Sequence, residues 1–240
     1  MIRTIIDVLL VIFFFFVTIP VLIIFWLIGL VSPKAKDFMS INLMKIAFAI
    51  ILFTSGVKVK IEGLENIPRD RAVLYVGNHR SYFDIIVAYK NIVGPTGFMA
   101  KKEFKNIPVL GHWITCLHGL YIDRKNVRQG LQAILEAAEN TKKGISYFIF
   151  PEGTRNHEDE MLKFHEGSLK IATKGGCPII PVAIKHADEI FELHFPLVKA
   201  TKVSIRYGEP IYTDSLSRDE SKFIGAKTRD IIQSMLDEME

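Results

Sequence analysis

The chain has 240 residues, enough for one domain with a sizeable core plus an attachment. Its formal net charge of +4 suits an anionic membrane surface or phosphorylated substrates. With no Arg-rich arm or RNA-binding aromatic signature, nucleic acid is excluded as a partner. Two single cysteines, Cys116 and Cys177, show neither CxxC nor zinc spacing and point to a reducing compartment.

Residues 8–31 carry no charge. As a helix they would be about 36 Å long, enough for a hydrocarbon core of roughly 30 Å. The run is too long for a signal peptide and no small-residue cleavage site follows. Nor has it the polar face of a buried soluble helix. It reads as membrane-embedded, with Pro20 as a place to kink. A second apolar run, residues 46–53, lies in a weaker helical stretch over 38–54 and is too short to span comfortably. One span with an interfacial helix, and a hairpin dipping into one leaflet, are both open readings. Lys34, Lys36 and Lys45 against Arg3 favour a catalytic part on the cytoplasmic face of the cell membrane. Residues 1–56 are thus an N-terminal membrane-embedded helical segment, followed by a domain over 57–240.

In that domain strands are expected at 58–61, 72–76, 96–100, 119–122, 145–150, 178–184 and 202–207. Helices are expected at 108–116, 127–141, 168–174 and 217–240. The second has Val127, Leu131, Ile134, Leu135 and Ala138 at helical spacing. The last should turn Ile224, Ile231, Ile232 and Met235 inward. Strands alternating with helices imply an α/β fold, a largely parallel sheet flanked by helices.

Strand 72–76 runs into Asn78, His79, Arg80, Ser81, Tyr82, Phe83 and Asp84. Histidine titrates near neutrality, and a carboxylate at its second nitrogen fixes the tautomer and steadies the imidazolium. Such a pair takes a proton from a substrate hydroxyl. The spacing proves little, since about 0.3 chance matches are expected in a chain of this composition. Two occur: His79 with Asp84, and His118 with Asp123. The second reads as strand, where residues five apart point to opposite faces. The first pair meets only if the turn bends, and Ser81 as N-cap with Asp84 three residues on supplies that start. The alternative is a capping carboxylate beside an ordinary loop histidine. The His79 turn, the Arg124 turn and the turn of residues 152–155 each follow a predicted strand. In an open parallel sheet such turns face one cleft, and its two arginines suit phosphate.

Asn78, His79 and Asp84, followed by Phe150, Pro151, Glu152, Gly153, Thr154 and Arg155, resemble the glycerolipid acyltransferase family, specifically the 1-acylglycerol-3-phosphate (lysophosphatidic acid) acyltransferases. The resemblance continues through Lys102, Glu103 and Phe104 with Pro108 and Gly111, through residues 119–124, and through residues 178–182. It covers roughly residues 57–207, in the family's order. It implies acyl transfer from acyl-CoA or acyl carrier protein to lysophosphatidic acid at the lipid bilayer. His79 would be the general base, oriented by Asp84. Glu152, Gly153, Thr154 and Arg155 would bind the glycerol phosphate, with Arg124 from the central block. Pro181 would belong to the apolar wall near the acyl chain. Lys101, Lys102 and Lys105 would contact phosphate or thioester oxygen, or else form a solvated basic face. His165 is a departure near the acceptor site, where such enzymes usually carry lysine, and no phosphate role is built on it.

The chemistry asks for neither metal nor cofactor. There is no P-loop, no HExxH and no GxSxG elbow. His112 and His118 with Cys116 are a loose metal lookalike that reads as local packing. The developing oxyanion needs donors, expected from backbone N–H groups of these turns. Another acceptor, such as glycerol 3-phosphate or a second lysophospholipid, fits the same residues. A non-catalytic lipid-binding protein is the other class, and intact His79, Asp84, Glu152 and Arg155 speak against it.

Overall fold

The computed structural model describes residues 1–158 and 160–239. The chain opens with two long helices, α1 (Ile2–Val31) and α2 (Pro33–Ser55), turned at Ser32. Both are long and apolar enough to cross a membrane. The second is longer than the sequence pattern predicts. Ser32 caps it by accepting from Ala35 N at 3.3 Å, Pro33 occupies the first helical position, and left-handed Gly56 closes it.

The hairpin packs along the domain. Val198 N donates to Thr4 Oγ1 at 2.9 Å, and Trp113 Nε1 donates to Thr18 Oγ1 at 3.0 Å. The Trp113 ring meets Phe14 and Phe25 at 5.5 and 6.0 Å. The first helix thus touches the domain at residues 4, 14, 18 and 25. Its opposite side, with Phe13, Phe16, Trp26 and Leu30, is exposed.

The seven strands are β1 (Lys58–Glu62), β2 (Leu74–Gly77), β3 (Thr96–Lys101), β4 (Leu120–Ile122), β5 (Ser146–Ile149), β6 (Ile179–Lys185) and β7 (Lys202–Tyr207). They form one sheet in the order β1-β7-β6-β2-β5-β3-β4. The five from β6 to β4 are parallel to one another; β7 runs antiparallel to β6 and carries β1 with it. The period of two in β2 and β5 sorts the core. Tyr75 and Phe148 face the side covered by α1, α2, α3 (Phe83–Tyr89) and α4 (Leu110–Cys116). Leu74, Val76, Tyr147 and Ile149 face α5 (Val127–Lys142), α6 (Glu166–Gly175) and the C-terminal helix. Phe25, Ile41, Met44 and Leu52 of the hairpin belong to the first of these cores.

The C-terminal stretch is two helices where one is predicted, α7 (Arg218–Lys222) and α8 (Ile224–Glu238). The Glu166 carboxylate accepts from Gly225 N and Ala226 N at 2.8 and 3.0 Å, and so caps a fresh N-terminus where the dipole favours an anion.

Candidate active site

The site forms where β2 and its neighbour β5 end. His79 follows β2, and the 152–155 turn follows β5; Asn156 N donates to His79 O at 2.8 Å and ties the two turns. The chain bends after His79 and starts α3, which brings Asp84 back beneath the imidazole. His79 Nδ1 lies 2.9 Å from Asp84 Oδ2. The ring also stacks on Phe150, centroids 4.1 Å apart and planes 16° apart. Nε2 carries no hydrogen bond among the described residues.

Three carboxylates share the N–H groups of this turn. Glu152 Oε1 accepts from His79 N, and Asp84 Oδ2 accepts from Arg80 N and Ser81 N, all at 2.8 Å. Glu192 Oε1 accepts from Tyr82 N at 2.7 Å, and its Oε2 from Ser81 Oγ at 2.7 Å. The expected oxyanion donors are therefore not those of residues 79–82, because each is already spent on a carboxylate. Burial raises the Asp84 carboxyl above its ordinary range, opposed by His79 and the two N–H donors. Its Oδ1 is buried without a partner among the described residues. Burial likewise raises Glu152, whose Oε2 accepts from Leu162 N at 3.0 Å. Both Glu152 oxygens thus brace backbone, and neither is presented to a substrate.

Arg155 lies over Tyr82, its guanidinium carbon 3.7 Å from the ring centroid. Nη2 donates to the Tyr82 hydroxyl at 2.9 Å, and Nη1 donates to Glu192 at 3.1 Å. Arg80 is held in turn by Asp188 at 2.8 Å. Gly153 has φ +73°, and a Cβ there would come within 3.2 Å of the His165 ring, so a small residue is needed at this turn. Thr154 is exposed beside it.

The other predicted site residues lie elsewhere. Arg124 and Lys105 are exposed on the same edge of the sheet, after β4 and β3. The end of β4 is three strand positions from β2, about 14 Å at ordinary strand spacing. No hydrogen bond or ion pair joins them to the His79 turn among the described residues. His118 precedes β4 with φ +59° and reaches Asp37 of α2 through Nε2 at 2.9 Å, while Asp123 pairs with Lys102 at 2.6 Å. The second His and Asp do not meet, and burial pushes His118 below its usual range. Glu192 and Asp188 were invisible to local spacing, being more than 100 residues from the turn they hold.

A sequence profile of the acyltransferase family matches residues 58–185, which include both turns. The chain belongs to this acyltransferase family. A 1-acyl-sn-glycerol-3-phosphate acyltransferase of Borreliella burgdorferi is 28% identical over 199 residues, 83% of this chain and 80% of its own. Another, of Saccharomyces cerevisiae, is 30% identical over 188 residues, 77% of this chain and 61% of its own. The crystal structure of the 1-acyl-sn-glycerophosphate (LPA) acyltransferase from Thermotoga maritima superposes with a TM-score of 0.78 at 26% identity, covering 98% of this chain and 97% of that one. In this acyltransferase the two helices long and apolar enough to cross a membrane pack as a hairpin on the core of the sheet domain.

Proposed function

We propose that the enzyme moves an acyl chain from a thioester, acyl-CoA or acyl carrier protein, to the free hydroxyl of lysophosphatidic acid, giving phosphatidic acid. The observation that carries this reading is the 2.9 Å contact of His79 Nδ1 with Asp84, which leaves Nε2 as the base. The relatives in Borreliella burgdorferi and Saccharomyces cerevisiae bear the name of this activity.

His79 Nε2 takes the proton of the acceptor hydroxyl as its oxygen attacks the thioester carbonyl. The C–O bond forms, the C–S bond breaks, and the proton passes from His79 to the leaving sulfur. Asp84 holds the tautomer and supports the imidazolium. A thioester is already activated, so no acyl-enzyme is required. The N–H groups of Thr154 and Arg155, unpartnered among the described residues, are our assignment for the oxyanion. Arg155, seated on Tyr82, offers its remaining N–H edge to the phosphate. Lys34, Lys36 and Lys45 against Arg3 support a catalytic part on the cytoplasmic face.

The test is acylation by purified enzyme in detergent, with each thioester donor, of a panel of lysophosphatidic acid, lysophosphatidylcholine and glycerol 3-phosphate. Lysophosphatidic acid should be acylated in preference to the others. Preference for glycerol 3-phosphate, or no thioester-dependent transfer, would overturn the reading.

A further inference from the structure

Between β6 and β7, residues 187–197 cross beside the site as a strap containing two 3-10 turns, Asp188–Ile190 and Glu192–His194. The strap begins just past the stretch matched by the family profile. Its inner side seats Ile190 in the core and carries two engaged carboxylates. Asp188 holds Arg80, and Glu192, its side chain only 6% exposed, holds Ser81, Tyr82 and Arg155. Its outer side is apolar and open: Leu193 is 58% exposed, Phe195 74% and Leu197 36%. Three large apolar side chains left open on one short segment form a patch of the kind that marks an interaction surface.

The neighbours of the patch identify what meets it. Val198, next in the chain, donates its N–H to Thr4 on the first turn of α1. Met1, Ile2 and Ile5 of that turn are themselves exposed. The strap patch thus continues the outward apolar surface of the hairpin, which is the membrane-associating surface of the enzyme. Exposed His194 and Lys199 flank it, as polar groups at headgroup depth would. A protein partner would have to cover the hairpin as well, whereas a lipid surface meets both at once.

We propose that the strap is a second lipid-contacting element: Leu193, Phe195 and Leu197 enter the membrane surface beside α1. Seated there, the strap fixes Arg155 and the Ser81 and Tyr82 backbone through Glu192, so the acceptor headgroup is gripped at the bilayer surface. The lipid contact stands apart from the acyl-transfer reading; only its kinetic consequence rests on that reading.

The full-length Phe195→Trp protein is bound to phosphatidylcholine/phosphatidylglycerol vesicles with brominated acyl chains. Fluorescence is read as the difference from the unmodified protein, whose Trp26 and Trp113 give the background. The Val127→Trp protein is the control, since Val127 is 87% exposed on α5, across the sheet from the hairpin. Added emission from position 195 should be quenched and that from position 127 should not. An unquenched position 195 in vesicle-bound protein, or equal quenching at both positions, overturns the proposal. In kinetics, the Leu193→Ser, Phe195→Ser double variant should raise KM for vesicle-borne lysophosphatidic acid by about tenfold, the order expected for withdrawing one or two apolar side chains from lipid. Its Tm and its rate on a short-chain, water-soluble acceptor should be unchanged. An unchanged vesicle KM would overturn the coupling to Arg155. The quenching result is read without any turnover, so a wrong acceptor assignment leaves it intact.

Discussion

At the residue scale, each carboxylate near His79 has a separable task, and the variants should separate likewise. His79→Ala removes the proposed base and should lower kcat by about 10²–10⁴. Asp84→Asn keeps the size and one acceptor for the turn, but loses the charge behind the imidazolium, so a milder loss is expected. His118→Ala is the comparison. It breaks a contact to Asp37 in the hairpin and should lower Tm while leaving kcat of the folded enzyme intact. Measuring kcat and Tm for all three decides the matter, and equal kcat losses at His79 and His118 would remove His79 from the chemistry. Glu152 gives a pH signature. Burial raises its folded pKa above the ordinary value, so its contribution to stability is full below that value and fades as pH climbs through the folded one. Glu152→Gln cannot titrate and should flatten this part of the Tm-against-pH curve. A variant curve parallel to the wild type across the weakly acidic range would show that Glu152 does not titrate there.

At the element scale, the hairpin is core and membrane surface at once. Thr18→Val leaves Trp113 Nε1 buried without its acceptor, at a cost of about 1–3 kcal/mol, or roughly 2–10 °C in Tm for a chain of this size. Thermal unfolding in detergent measures it, and an unchanged Tm would mean the hairpin melts separately from the sheet. Removing residues 1–56 should aggregate the remainder, because Phe25, Ile41, Met44 and Leu52 would leave one face of the sheet bare. Apolar runs such as residues 72–76 and 178–184 made the strands legible, and the capped amphipathic pattern of residues 127–141 did the same for α5. Helix ends were read less well. The Ser32 and Pro33 start signal lies ahead of the expected helical stretch of residues 38–54, and the break at Phe223 depends on Glu166, nearly 60 residues away.

At the scale of the whole molecule, sheet order decides which turns share chemistry, and no local pattern carries it. The sequence showed three turns after three strands; the fold makes neighbours of β2 and β5 and sends β4 to the far edge. His79, Asp84 and Arg155 were legible because two of them bend within one turn and the third ends the adjacent strand. Glu192 and Asp188 were not, since their partners come only through the crossover to β6 and β7. The two arginines should therefore behave differently. Arg155 is fixed by Tyr82 and Glu192, so on the proposed reading Arg155→Ala should remove a charge-assisted phosphate contact of about 1.5–3 kcal/mol. That is roughly a tenfold to hundredfold rise in acceptor KM, with donor KM nearly unchanged. Arg124 follows β4, two strand positions or about 10 Å along the edge from β5, and no hydrogen bond or ion pair joins it to the Arg155 turn among the described residues. Arg124→Ala should raise acceptor KM by less than about threefold, within the range of an exposed charge acting at a distance. Steady-state kinetics with each substrate varied in turn gives both values. An acceptor KM as sensitive to Arg124 as to Arg155 would mean the acceptor lies across β5 and β3, and not over the His79 turn alone.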